Sequence, residues 1–177
     1  MQKGWTLLEA LVVMAIVGLL WQFASPGMQQ WMAARTVSVA TNSLASSLRL
    51  ARSEAIARQQ KVLLCPSRDG LTCTSGPYHL GWLIRLAPND ISGLTAPVAS
   101  RAVLHYQGPL SNGVSITANG AMASYIAYRP DGQTRQLNDA LLMGTVEICL
   151  PPHGQRIVIN RIGRARIEPW ACANQQS

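Results

Sequence analysis

Apolar positions divide this chain into a long helical part and a β-rich part. The run from Trp5 to Ala24 (WTLLEALVVMAIVGLLWQFA) is nearly all apolar, and about twenty helical residues at roughly 1.5 Å each span a bilayer. Apolar and small residues then recur at helical spacing at Val37, Ala40, Leu44, Leu48, Ala51 and Ala55. Glu54 and Arg58 form a favourable i, i+4 pair. We expect one helix from Trp5 to about Gln60, kinked or locally melted at Ser25-Pro26-Gly27.

After Gln60 the period changes to short β-rich runs separated by Gly, Pro, Asn and Asp. The predicted strands are 61–66, 78–86, 103–107, 114–118, 125–129, 134–137, 146–150, 156–160 and 164–167. The segment from Ala87 to Arg101 lacks periodicity and is expected to be a loop. The predicted fold class is α+β, a long N-terminal helix packed on an antiparallel sheet.

Two residues in the first segment are unusual for a secretory signal. A signal peptide places a small-residue cleavage site after its apolar core, whereas Gly4 precedes the apolar run, so that cleavage there leaves Trp5 as the new N-terminus. Glu9 lies inside the apolar run, where a carboxylate costs on the order of 2.5 kcal/mol or more unless it has a partner. The α-amino group at Trp5 of a neighbouring subunit is a suitable partner. The alternative is that Glu9 simply favours the helix N-terminus through the macrodipole.

The charge of the chain is strongly positive. The formal net charge is +7, the pI is about 9.8, and 13 of the 15 basic residues are arginine. The planar guanidinium fork suits phosphate and carboxylate recognition better than the lysine point charge does. A GC-rich genome that favours arginine codons is the alternative explanation.

The four cysteines lie beyond the apolar segment, at positions 65, 73, 149 and 172. An even number in such a chain indicates an oxidising compartment and two disulfides, for which three connectivities are possible. Pairing Cys65 with Cys73 closes a short loop, and pairing Cys149 with Cys172 holds the C-terminal tail. We expect these two bonds, with four buried thiols as the alternative.

No pattern in the sequence indicates catalysis. His79, His105 and His153 are scattered and have no accompanying nucleophile, acid or metal-ligand spacing. Dinucleotide-binding and P-loop glycine patterns are also absent. We therefore expect no enzyme activity, no catalytic residue, no metal and no cofactor.

The start of the chain resembles the class III signal of type IV pilins and type II secretion pseudopilins, in Gly4-Trp5, Thr-Leu-Leu-Glu9 and the apolar helix. The resemblance implies that residues 1–4 are a leader, that a prepilin peptidase cuts after Gly4 and methylates Trp5, and that Glu9 aligns neighbouring subunits. By the same resemblance residues 5–25 span the inner membrane or fill the filament core. Residues 26–60 then form the amphipathic second half of the helix, and residues 61–177 form a periplasmic or surface domain.

Four later motifs resemble the FimT/FimU/GspH group of minor pilins and pseudopilins. They are ARSEAIARQQKVLLCPSRDG at 51–70, Gly81-Trp82, the Arg-Pro-Asp-Gly turn at 129–132, and RIVINRIGRARI at 156–167. The resemblance implies a pilin-like fold and assembly with other pilin subunits. It also implies a single-pass inner-membrane precursor that moves into a pilus on the surface of a Gram-negative bacterium.

The C-terminal hairpin holds the candidate binding residues. With a turn at Ile162-Gly163, strand alternation places Ala165 and Ile167 on the core face and Arg164 and Arg166 on the other. Residues i and i+2 lie roughly 6.5 to 7 Å apart along a strand. That spacing is close to that of successive phosphates, which favours sequence-independent phosphate binding.

Gly163-Arg164-x-Arg166 is similar to the tail motif of FimT-type pilins, some of which bind DNA during uptake for natural transformation. The resemblance implies DNA contacts by Arg164 and Arg166, supported by Arg161 and Gly163. One alternative is that the arginines solubilise an edge strand or pair with acids on a neighbouring pilin. The protein is then a structural pilin that primes assembly, or a pseudopilin of a type II secretion system.

Overall fold

The computed structural model of the chain describes residues 6–88, 91–99, 102–110 and 113–172. The predicted leader and the processing residues Gly4 and Trp5 lie outside the described residues. The regular elements in chain order are α1 (Leu7–Arg58), β1 (Val62–Pro66), β2 (Trp82–Leu86), β3 (Val103–Gln107), β4 (Ser115–Ala118), β5 (Ile126–Tyr128), β6 (Gly144–Leu150), β7 (His153–Ile159) and β8 (Ala165–Ala171).

Helix α1 runs for 52 residues between two well-formed caps. Thr6 Oγ1 accepts a hydrogen bond from the Glu9 amide at 3.3 Å, and Gln59 closes the helix in the left-handed conformation with φ 53°. The backbone stays helical through residues 25–27, so of the two expected outcomes, a kink or local melting, melting does not occur.

The two halves of α1 have different surroundings. Large apolar side chains of the first half, such as Leu8, Leu11 and Met14, are exposed. In the second half the predicted stripe is buried throughout, at Val37, Ala40, Leu44, Leu48, Ala51 and Ala55. The predicted ion pair is also confirmed, with Arg58 Nε 2.5 Å from Glu54 Oε2. Among the residues that the structure describes, no helix combines the length and the apolar character needed to cross a membrane.

The strands form two antiparallel four-stranded sheets, in the orders β3-β2-β1-β5 and β4-β6-β7-β8. The buried stripe of α1 contacts both sheets, and the core lies between them. Trp82 on β2 is fully buried there, and its indole N–H donates to Ser47 Oγ on α1 at 2.9 Å. The predicted α+β architecture, a long N-terminal helix packed on antiparallel strands, is confirmed.

Two of the predicted strands take other forms. Tyr78–Leu80 is a short 3-10 turn, and the strand begins only at Trp82. The predicted strand at 134–137 is wrong, since this segment makes only isolated bridges. The reason lies in Thr134, whose hydroxyl donates to the Leu142 and Asn160 carbonyls at 2.8 and 2.9 Å. Thr134 is fully buried and fastens its segment to the end of β7 instead of continuing a ladder.

Both expected disulfides form. Cys65 is bonded to Cys73 with Cα atoms 5.6 Å apart, and Cys149 is bonded to Cys172 with Cα atoms 5.7 Å apart. The second bond joins β6 to the residue that follows β8. It therefore holds the outer strand of the second sheet at its C-terminal end.

Candidate functional site

Residues 160–164 connect β7 to β8, and within them Asn160 and Arg164 pair around a tight three-residue turn, Arg161-Ile162-Gly163. The Gly163 amide donates to the Asn160 carbonyl at 2.9 Å, and the Asn160 amide donates to the Arg164 carbonyl at 3.2 Å. The Asn160 side chain also accepts the Arg164 amide at 3.0 Å. The turn is thus centred on Arg161 and Ile162, one residue earlier than predicted. Gly163 has φ +77°, as the last position of such a loop requires.

Three of the sequence motifs meet at this loop. A Cβ at Gly163 would lie 2.1 Å from the carbonyl oxygen of Gly132 in the Arg-Pro-Asp-Gly turn. Arg52, from the Ala-Arg-Ser-Glu segment of α1, donates through Nη2 to the Ile162 carbonyl at 3.2 Å. The hairpin loop is therefore held between the helix and the 129–132 turn, and Gly163 allows the close backbone approach.

Strand β8 lies at the outer edge of its sheet, and the side chains of residues 165–167 are exposed. Arg166 pairs in register with Val158, and its side chain is 77% exposed. Ala165 and Ile167 do lie on the same side as the buried Ile159 and Ile157, as strand alternation predicts. Both side chains are nevertheless exposed, Ile167 by 38%, so this end of the predicted core face is not covered.

One carboxylate compensates part of the positive charge of the hairpin. Glu168 Oε2 lies 2.8 Å from Arg156 Nη2, and its other oxygen pairs with Arg166. The hydrogen bond from Arg156, and then the charge of Arg166, hold the pKa of Glu168 below its ordinary value. Within the part of the chain that the structure describes, Arg161 and Arg164 have no ion-pair partner.

Two grooves adjoin the hairpin, and Arg164 lines both. The larger groove, about 570 Å³, is lined by Val158, Asn160, Arg164, Ala165 and Arg166. The smaller groove, about 190 Å³, is lined by Leu48, Arg49, Arg52, Tyr128, Gly163, Arg164 and Ala165. We call Arg49, Arg52, Arg161, Arg164 and Arg166 the arginine surface. The sequence motifs did not indicate Arg49 or Arg52 as site residues, although Arg49 lies on the polar side of the helical pattern.

The remaining sequence candidates lie elsewhere. Glu9 is exposed in the first turn of α1 and is one partner of the Thr6 cap. His79 Nδ1 accepts the Ile116 amide at 3.1 Å, and His153 begins β7. In the described ranges no three His, Cys, Asp or Glu side chains are placed to hold a metal ion.

The fold is similar to solved structures of a minor pilin and a minor pseudopilin. The type IV minor pilin FimU of Pseudomonas aeruginosa PAO1 is similar in two crystal forms, and each match covers 75% of this chain. One form has a TM-score of 0.57 at 17% identity and is covered over 88% of its chain. The other has a TM-score of 0.55 at 18% identity and is covered over 92% of its chain. The minor pseudopilin EpsH from the Type 2 Secretion System of Vibrio cholerae has a TM-score of 0.50 at 13% identity, covering 75% of this chain and 96% of EpsH. No curated protein sequence matches the chain.

The described fold and the sequence motifs define a minor pilin or pseudopilin, of a type IV pilus or a type II secretion system. The family described as type II transport protein GspH matches residues 40–163. The chain therefore belongs to the GspH family, within the FimT/FimU/GspH group that its motifs predicted. The family is described as a type II transport protein, and the similar structures are described as a minor pilin and a minor pseudopilin.

Proposed function

We propose that this protein is a minor type IV pilin that binds DNA without sequence preference, for uptake in natural transformation. Arg164 and Arg166 are the main phosphate contacts, Arg161 supports them, and Gly163 shapes the loop that presents them. The observation that carries the proposal is that Arg164 is exposed, lines both grooves and has no ion-pair partner in the described structure. An uncompensated guanidinium beside two others attracts phosphate.

The predicted strength of binding follows from the number of contacts. About three phosphate contacts give a slope of roughly −2 to −3 for log K against log salt, with micromolar or weaker affinity. Such weak binding suits a filament that must release its cargo, and several copies in one filament compensate through avidity.

The test is a binding titration of the full chain in a non-ionic detergent, with a labelled duplex of mixed sequence. Arg164→Gln with Arg166→Gln should abolish most binding, because it removes two of the three contacts. The control is Arg35→Gln with Arg68→Gln, which removes the same charge from two exposed arginines on α1 and on the Cys65–Cys73 loop. The proposal fails if the parent does not bind at low salt, or if the two double variants bind equally.

A second candidate function rests on the edge position of β8. Charged side chains and a proline discourage pairing of an edge strand with another chain, and β8 carries Arg166, Glu168 and Pro169. In this account the arginines solubilise the edge or pair with acids on a neighbouring subunit. The protein then primes pilus assembly or serves a type II secretion system without binding DNA. The same titration separates the two functions.

We also propose the route of assembly. A prepilin peptidase removes residues 1–4 by cutting after Gly4 and methylates Trp5. The chain is held in the inner membrane by residues 5–25, with its domain in the periplasm, before it enters the pilus at the cell surface. The exposed apolar side chains in the first half of α1 support this route, since subunit packing or lipid would cover them. Glu9 pairs with the N-terminus of the adjacent subunit during entry.

A further inference from the structure

We infer that the DNA-binding surface continues from the hairpin onto α1, where Arg49 is a phosphate ligand in the smaller groove that Arg164 also lines. The inference rests on the proposed DNA binding and extends it to a second element of the fold. It predicts that the nucleic-acid backbone crosses the hairpin instead of running along β8 alone.

The first step is the shared position of Arg164. This residue lines the groove that holds Arg166 and also the groove that holds Arg49 and Arg52. The two grooves therefore share Arg164 and Ala165. In the proposed arrangement, a DNA strand whose phosphates bind Arg164 and Arg166 continues into the smaller groove.

The second step is the charge within the smaller groove. Its lining contains Arg49, Arg52 and Arg164 and no acidic residue. Arg49 is exposed and has no ion pair or side-chain hydrogen bond in the part of the chain that is described. Three like charges that gather without a carboxylate repel one another, and an anion between them removes the repulsion.

The third step is the size and chemistry of the groove. About 190 Å³ is many times the roughly 10–15 Å³ that a single water needs, so the groove has room for a phosphate with its solvation. Its walls supply guanidinium groups, which bind phosphate in bidentate geometry. Double-stranded and single-stranded DNA both present such phosphates, and the experiment below compares them.

Arg52 has a different role from Arg49 in the proposed DNA-binding surface. Its Nη2 holds the Ile162 carbonyl, while its Nε is buried without a hydrogen-bond partner among the described atoms. Gly132 lies against it, since a Cβ there would approach Arg52 Nε to 3.0 Å. Arg52 is therefore a positioning residue, which fixes the loop and adds charge behind the two ligands.

The experiment compares Arg49→Gln with Arg35→Gln in the full chain, using labelled duplex and single-stranded DNA. Both changes remove one charge from an exposed arginine of α1. The two positions are about 21 Å apart along the axis at 1.5 Å per residue, beyond the screening length of about 14 Å at 50 mM salt. Circular dichroism and thermal unfolding check that both variants fold.

Arg49→Gln should weaken duplex binding on the order of tenfold at 50 mM salt and make the salt slope shallower by about 0.9. For single-stranded DNA, Arg49→Gln should make the slope of log K against log salt shallower by about 0.7. Arg35→Gln should leave both slopes unchanged. If Arg49→Gln behaves like Arg35→Gln while loss of Arg164 and Arg166 abolishes binding, the helix contact is refuted and the hairpin proposal stands. If the parent binds no DNA, both proposals fail.

Discussion

Replacing Gly163 with alanine tests the packing that holds the hairpin loop in place. Gly163 has φ +77°, and a left-handed conformation costs a residue with a Cβ about 1–2 kcal/mol. The new Cβ would also lie 2.1 Å from the Gly132 carbonyl oxygen and 3.2 Å from the Tyr128 ring. Both neighbours are parts of a packed wall, so the loop must shift, and overpacking of this kind costs about 1–3 kcal/mol more. The predicted loss in free energy of unfolding is about 2–5 kcal/mol.

Gly120 provides the matched control. It has φ +55°, and a Cβ there meets no atom within 4 Å. Gly120→Ala should therefore lower the free energy of unfolding only by the cost of the left-handed backbone conformation, about 1–2 kcal/mol. Thermal unfolding of the full chain in detergent measures both variants, and each kcal/mol lowers Tm by roughly 2–4 °C in a chain of this size. Equal Tm values for the two variants would refute the close approach of Gly163 to the 129–132 turn.

Further predictions concern a charge, the disulfides and assembly. Glu168→Gln should tighten DNA binding about two- to threefold at low salt, because it removes a negative charge near the bound phosphate and releases the arginines that it pairs with; unchanged or weaker binding would contradict this. Replacing the cysteines of the 65–73 bond with serine should lower the free energy of unfolding by about 2.5 kcal/mol, and replacing those of the 149–172 bond should lower it by about 3.5 kcal/mol. The second loss is larger because this bond closes the longer loop, with a sequence separation of 23 against 8 residues. Denaturant titration measures both losses. Replacing Gly4 with a bulky residue should leave an uncut precursor, visible as a slower band on a gel. The Glu9→Ala variant should be cut but should enter filaments poorly. Normal incorporation of the Glu9→Ala variant would contradict the pairing of Glu9 with a neighbouring N-terminus.

Much of the architecture follows from the period of the apolar positions. The stripe from Val37 to Ala55 predicted both the helix and the face that it buries, because every third or fourth residue of a helix meets the same neighbour. Most strands were likewise predicted to within a few residues, including β3 at Val103–Gln107. The division into two sheets was not predicted. Alternation identifies the two faces of a strand but not how far each face is covered, and Ile167 lies on the predicted face of β8 yet is 38% exposed.

The candidate site was predicted only in its hairpin half. The pattern Gly-Arg-x-Arg is local, so its arginines are visible in the sequence. Arg52 meets the hairpin at Ile162, which lies 110 residues further along the chain, and no local spacing reveals such a contact. The role of Gly163 is also a matter of tertiary structure, because the Gly132 carbonyl that excludes a side chain comes from another turn.

The most direct test of the central claim is made in the host cell, with Arg164→Gln and Arg166→Gln introduced together into the chromosomal gene. Transformation frequency with added DNA and the amount of this subunit in sheared pili are measured on the same cultures. The account predicts that transformation falls while the subunit enters pili at the parental level. Parental transformation by a strain whose purified variant no longer binds DNA would contradict it.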